Sequence, residues 1–277
     1  MPILKSGGWH IDYLDEGQGP MVLLLHSASS SYKQWRPLID ALSPTHRVVA
    51  INLYGYGETS PWPSEREQTV DDLLDIVLRL IDHLPGRFSL VGHSLGAVLA
   101  IEAALRRRDR LDKLVVYEPN PFHLMREHGP ADGYAAMVGL MDTVESLYKQ
   151  GRAEDAARHF IVFWSDEDTW NAMSDKRRAT LTQAIGSSVH EGRALERNKT
   201  SIQAYASLAM PTLLMYAADT NPMIAKVLNL LEKGCPHWQV YVQPEGGHLA
   251  PLTHAEQVNA KIIEFLKADA EALGTLT

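Results

Sequence analysis

The sequence predicts an α/β fold: a doubly wound, mostly parallel sheet with a block of helices inserted between two of its strands. Three observations carry this. Apolar strand-like runs alternate with helical patterns along most of the 277 residues. Most of those runs are apolar throughout rather than at every second position, as strands buried on both faces are. The alternation then stops between residues 119 and 208, where helical spacing persists without a convincing strand, and resumes afterwards. The expected organisation is a core formed by residues 1–118 and 209–277 and a helical insertion over 119–208.

The elements follow in order. "ILKSGGWHIDYLDEG" reads as two short strands joined at Ser6-Gly7-Gly8, an antiparallel hairpin at the sheet edge. "MVLLLH" (21–26) is the first buried strand, followed by a helix around "YKQWRPLIDAL" and a second strand, "RVVAIN" (47–52). Thr69 is a plausible N-cap for the helix in "VDDLLDIVLRLIDHL". Next come the strand "RFSLVGH" (87–93), a helix after Ser94, and the strand "KLVVYE" (113–118). Beyond the insertion lie "PTLLMYA" (211–217) and "WQVYVQ" (238–243). Thr253 and Glu256 form a T-x-x-E pattern that predicts Thr253 as the N-cap of the last helix, with His254 just inside it.

Composition narrows the function classes. The chain is 45% hydrophobic and 22% charged, enough to bury a large core. Its net charge of −8 disfavours nucleic acid and anionic membrane, both of which require a basic face. The basic run "RRRDR" (106–110) ends a predicted helix, where cations suit the dipole. Cys235 is the single cysteine, so neither a disulfide framework nor a cysteine-based metal site is expected. The opening "MPILKSGGWH" lacks a signal-type apolar stretch and no run reaches transmembrane length, so the default expectation is a cytoplasmic protein in which "NKT" (198–200) is a chance sequon. Oligomeric state is not legible here.

The chemistry gathers around "GHSLGA" (92–97), where an apolar run stops and a helical pattern begins. A turn that tight gives its apex residue an awkward backbone and leaves its neighbours two positions away almost no room for a side chain. Gly92 and Gly96 meet that need. Ser94 is thereby pushed out above the carboxyl end of the sheet, at a helix N-terminus, as the nucleophile of a G-x-S-x-G elbow. A serine hydroxyl needs a base and an orienting acid. Of the 12 histidines, His248 stands apart, because "PEGGHLAPL" follows a strand and ends on the same side of the sheet as Ser94. His237 precedes that strand, at the opposite end. For the acid, Asp219 follows "PTLLMYAA" and Glu118 ends "KLVVYE", both at carboxyl ends, so spacing leaves two candidates. Asp219 is the expectation, since the order Ser, Asp, His with the acid on the penultimate strand is usual on this architecture; Glu118 is the alternative.

With these residues in place, the chain resembles an α/β-hydrolase of the capped esterase and haloperoxidase-like group over essentially its whole length. The resemblance rests on "LLLHSASSS…W", "NLYGYGETS", "VGHSLGA", "LLMYAADTNP" and "GGHLAPLTHAEQVNAKIIEFL". It implies an oxyanion hole formed by backbone N–H groups of Leu95 and of Ala28 or Ser27. Family members commonly have His-Gly where this chain has His26-Ser27, and Asp where it has Asn52. It also implies that the insertion caps Ser94 and sets substrate choice. Candidate pocket residues are His26, Met141, Phe163, Trp164 and Trp170, within an apolar stripe that includes Met137, Leu140 and Phe160 and serves mostly for packing. A serine suits acyl transfer, not the carboxylate attack of related dehalogenases and epoxide hydrolases. The expected activity is hydrolysis of a carboxylic ester, or a related acyl bond, of a small to medium hydrophobic substrate. Perhydrolysis or cofactor-free haloperoxidase chemistry at the same triad is the alternative, and a ligand sensor without turnover is the third reading. The cycle requires no metal and no cofactor, and His123, His128 and His159 lack ligand spacing.

Overall fold

The computed structural model describes residues 2–63, 66–129 and 131–268. Strands β1 (Ile3–Ser6) and β2 (Trp9–Glu16) form the antiparallel hairpin, with Ser6 opposite Trp9. Its two-residue turn sets Gly7 and Gly8 at φ +58° and +86°, left-handed angles that glycine adopts without a Cβ penalty. Six further strands follow: β3 (Met21–Leu25), β4 (Arg47–Ile51), β5 (Phe88–His93), β6 (Leu111–Tyr117), β7 (Thr212–Ala217) and β8 (Gln239–Gln243). The sheet runs β1-β2-β4-β3-β5-β6-β7-β8; β2 meets β4 antiparallel, and the strands from β4 to β8 run parallel.

Burial explains the apolar runs. Every residue of β3 and β5 is buried, because helices cover both faces of the sheet there. Strand β8 lies at the edge and alternates, leaving Val240 and Val242 partly in solvent. One face packs on α1 (Arg36–Leu42) through Leu38, Ile39 and Leu42. The other packs on α2 (Val70–His83) and α3 (Leu95–Arg106) through residues such as Leu73, Val77 and Val98. Thr69 caps α2 reciprocally: its hydroxyl accepts from the Asp72 N–H, and the Asp72 carboxylate accepts from the Thr69 N–H.

Between β6 and β7 the chain is helical: α4 (His123–His128), α5 (Ala131–Lys149), α6 (Ala153–Trp164), α7 (Glu167–Ala172), α8 (Asp175–Glu196) and α9 (Ile202–Ala206). Helix α8 packs on α5, α6 and α2. Its far end is anchored to the core by Glu102 of α3, whose buried carboxylate accepts from Asn198 Nδ2 at 2.9 Å and from the Tyr205 hydroxyl at 3.1 Å. After β7 come α10 (Pro222–Gly234), α11 (Ala250–Thr253) and α12 (Ala255–Lys267), the last packing beside α1. The predicted Thr253 cap does not form. Residues 250–253 already make a helical turn, so the Thr253 hydroxyl donates to the Leu249 carbonyl at 3.2 Å, and His254 becomes the N-cap without a side-chain bond. None of the described helices is long and apolar enough to cross a membrane.

Register brings the chemistry to one rim. Leu25 of β3 pairs with Gly92 of β5, His93 of β5 with Tyr117 of β6, and Ala217 of β7 with Gln243 of β8. The loops that hold Ser27, Ser94, Glu118, Asp219 and His248 therefore all leave the carboxyl edge of the sheet, where open α/β sheets bind ligands.

Candidate active site

The turn from β5 into α3 requires its glycines. A Cβ on Gly92 would strike the Gly96 carbonyl, and one on Gly96 would strike the carbonyls of Leu25 and His26 where β3 ends. Ser94 sits at the apex with φ +56° and ψ −118°, a costly backbone for a residue with a side chain. That strain points its hydroxyl at the imidazole of His248, with 2.9 Å between Ser94 Oγ and Nε2. His248 lies in a single 3-10 turn after β8, and both side chains are buried.

The acid position departs from the expectation. His248 Nδ1 meets Glu118 Oε2 at 2.8 Å, and Asp219 makes no such contact. Strand β6 lies directly beside β5, and Glu118, the first residue past its end, turns at φ +43° with its N–H bonded to the Met215 carbonyl. The fully buried carboxylate also accepts from the Ala217 N–H at 2.9 Å and the Thr220 hydroxyl at 2.7 Å. Asp219 is exposed and accepts instead from the N–H groups of Gly246 and Gly247, at 3.1 and 2.9 Å. Burial raises its pKa, but those two donors outweigh it and hold the carboxyl below its ordinary value. Asp219 thus fastens the loop that carries His248 without touching the imidazole. With Nδ1–H donated to Glu118, Nε2 is left to accept the Ser94 proton.

The loop after β3 divides its donors. The Ser27 N–H and hydroxyl both go to Gln34 Oε1, at 3.0 and 3.1 Å. The next residue, Ala28, borders the cavity over Ser94, as does Leu95, whose N–H opens α3 and so has no partner within the helix. Gln34 Nε2 donates in turn to His93 Nδ1 at 3.2 Å, and His93 Nε2–H donates to the His248 carbonyl at 2.9 Å. His26 is bound on both sides: Nδ1–H donates to the Ser27 carbonyl at 2.7 Å, and Nε2 accepts from the Leu53 N–H at 3.1 Å. Asn52, at the position where Asp is usual, donates to the Asp12 carboxylate at 2.8 Å and accepts from the Tyr32 N–H.

Burial pulls the pKa of His26 down to about 4 and that of His93 well below its ordinary 6.5. Both folded-state values lie beneath the unfolded one, so the unfolded chain takes up more protons in acid. Their effect on stability is absent above pH 6.5 and grows as the pH falls below it, for His26 down to about 4. Each histidine contributes a slope of roughly 1.4 kcal/mol per pH unit in that window. Urea unfolding at pH 7, 6 and 5 should show the midpoint falling, with a shallower fall in His26→Asn; equal slopes in the two proteins would contradict this.

Over Ser94 lies a cavity of about 600 Å³ including its mouth. Ser94, His248, Phe160 and Trp164 all border it, and the Trp164 ring is 5.3 Å from that of His248. The other expected pocket residues lie off the lining. Met141 and Trp170 are buried among the inserted helices, Phe163 stacks edge-on against Trp164, and His26 is locked beneath the loop after β3. Three polar residues that sequence reasoning passed over do border it: Asn120 beyond β6, and Ser188 and Glu191 one turn apart on α8. Their i, i+3 spacing was the available signal, hidden because the whole of α8 is polar on average. His123, from the insertion, is spent on the Thr200 carbonyl at 2.8 Å.

Known proteins share this fold. A family model described as alpha/beta hydrolase fold matches residues 20–255. The pimeloyl-[acyl-carrier protein] methyl ester esterase of Vibrio atlanticus is 24% identical over 93% of this chain and 96% of its own. The esterase of the same name from Pectobacterium carotovorum is 26% identical, over 91% and 97%. Among solved structures, the alpha/beta hydrolase MGS-M2, from a Medee basin deep-sea metagenome, superposes with a TM-score of 0.81 at 16% identity, covering 97% of this chain and 98% of its own. A thermophilic esterase from Thermogutta terrifontis gives 0.74 at 23%, with 96% of each chain covered.

Proposed function

Because the chain belongs to the alpha/beta hydrolase fold family, we propose that it is a serine esterase using Ser94, His248 and Glu118 on carboxylic esters with a small to medium apolar acyl group. One observation carries the proposal: the unbroken chain from Glu118 to His248 to Ser94, at 2.8 and 2.9 Å, on the floor of a cavity. Ser94 Oγ attacks the ester carbonyl while His248 Nε2 takes its proton, and the negative charge that develops on the carbonyl oxygen falls to the N–H groups of Ala28 and Leu95. The same imidazole returns the proton to the departing alcohol. It then deprotonates a water that cleaves the acyl-enzyme, and Ser94 is regenerated. Glu118 holds the ring and offsets the charge of the imidazolium; the Ala217 N–H and Thr220 hydroxyl hold that carboxylate in place. The helices over 119–208 act as the cap, and Trp164 and Phe160 supply the apolar wall.

The relatives' names favour ester hydrolysis over perhydrolysis, and the complete Glu-His-Ser chain argues against a sensor without turnover. A fluorophosphonate probe should label Ser94 alone, and a panel of p-nitrophenyl esters, run with and without peroxide, should show hydrolysis as the faster reaction. Labelling at another serine would sink the assignment, and a faster reaction with peroxide would move it to perhydrolysis.

A further inference from the structure

Glu191 is the anomaly of the cavity. It projects from α8 and is 2% exposed. Its Oε2 accepts from the Tyr56 hydroxyl at 3.1 Å, and that hydroxyl is itself fixed by the Ser29 N–H at 2.8 Å. Oε1 has no hydrogen-bond partner among the described residues. Among the described residues no lysine or arginine joins it and its one polar contact is Tyr56, while the neighbouring Ser188 is paired with Ser29 at 2.7 Å. Buried carboxylates are ordinarily paired, because an isolated one forfeits its hydration without return. This one faces the same cavity as Ser94, and so does Asn120, whose amide oxygen is likewise buried and unpartnered.

Building on the esterase reading above, we propose that Glu191 is the specificity anchor for an amine on the substrate, held in the cavity while Ser94 attacks the ester. An amine complements a carboxyl in either protonation state, as a hydroxyl also does, but only the amine gains a charge-assisted pair when the carboxyl ionises. The acid binds a neutral amine, the carboxylate binds an ammonium, and the two arrangements differ only by a proton inside the pair. A substrate carboxylate would meet repulsion from the ionised form. Two aromatic side chains, Phe160 and Trp164, line the same space, and aromatic rings attract cations placed over their faces. Burial lifts the Glu191 carboxyl to about 8, so the empty site carries little charge at neutral pH and ionises when a cation arrives. The chain's net charge of −8 draws cations toward it.

The test compares methyl esters of matched length: straight alkanoates, ω-amino alkanoates, ω-hydroxy alkanoates and half-esters with a free carboxylate, from two to eight carbons. At one length the amino ester should exceed the plain ester in kcat/KM by at least about tenfold, and Glu191→Gln should bring that ratio to near one. Titration calorimetry of alkylamines and alcohols of the same lengths with the intact protein gives a second reading that needs no turnover: amines should bind, and lose affinity in Glu191→Gln. A preference for hydroxyl or carboxylate esters, or amine binding unchanged in Glu191→Gln, overturns the inference. Hydrolysis of plain esters without amine preference overturns it while leaving the esterase reading intact. Failure of every ester together with retained amine binding would overturn the esterase reading instead.

Discussion

Ser94→Ala should lower kcat for any ester the protein hydrolyses by about 10⁶-fold, the loss seen when the nucleophile of such a chain is removed. The fold should survive. The strained backbone at residue 94 is imposed by the close approach of Gly92 to Gly96 and of Gly96 to the carbonyls of Leu25 and His26, and alanine leaves all of it in place. The melting temperature should therefore stay close to that of the parent, while fluorophosphonate labelling disappears. Residual turnover should come from the N–H groups of Ala28 and Leu95 and from binding alone. Activity within tenfold of the parent would remove Ser94 from the reaction.

The second large effect separates two carboxylates. Glu118→Gln should cost about 10⁴-fold in kcat, because an amide that donates to His248 Nδ1 stabilises the wrong tautomer and leaves the imidazolium without its counter-charge. Asp219→Asn should cost far less. Its carboxylate accepts from the N–H groups of Gly246 and Gly247 and does not meet His248, and the asparagine oxygen can still accept from one of those donors. Steady-state kinetics on one ester with both variants decides the matter, and the reverse order of losses would return the acid role to Asp219.

The carboxylate that the sequence favoured, Asp219, is not the one that meets His248, and the reason is instructive. Ser94 was legible because its environment is local: two glycines, one strand and one helix within a dozen residues. His248 was legible because a Gly-rich loop after a strand has few places to go. The acid depends on which strand stands beside β5 and on how far a side chain reaches, and neither is written in a spacing. Strand β6 is that neighbour, and glutamate is long enough to span the gap. Asp219 was favoured by the usual order Ser, Asp, His along the chain, which says nothing of contact; just after it Asn221 caps α10 by accepting from the Met223 N–H. The inserted helices followed the same logic. Helical periodicity marked an apolar stripe, but both the cavity and the neighbouring helices receive apolar residues, so Trp164 borders the cavity while Trp170 and Met141 pack elsewhere.

One more property follows from the chain of bonds that runs from Ser27 through Gln34 and His93 to the carbonyl of His248. The reacting groups come from segments more than 150 residues apart, and a shift of about 1 Å between them would cost on the order of 100-fold in rate. Three independent loops would each add their own positional error. Here a single neutral imidazole, His93, accepts from one loop and donates to another while standing beside the nucleophile in a third. A displacement of one loop is therefore passed to the others through these hydrogen bonds rather than taken up wholly between Ser94 and His248.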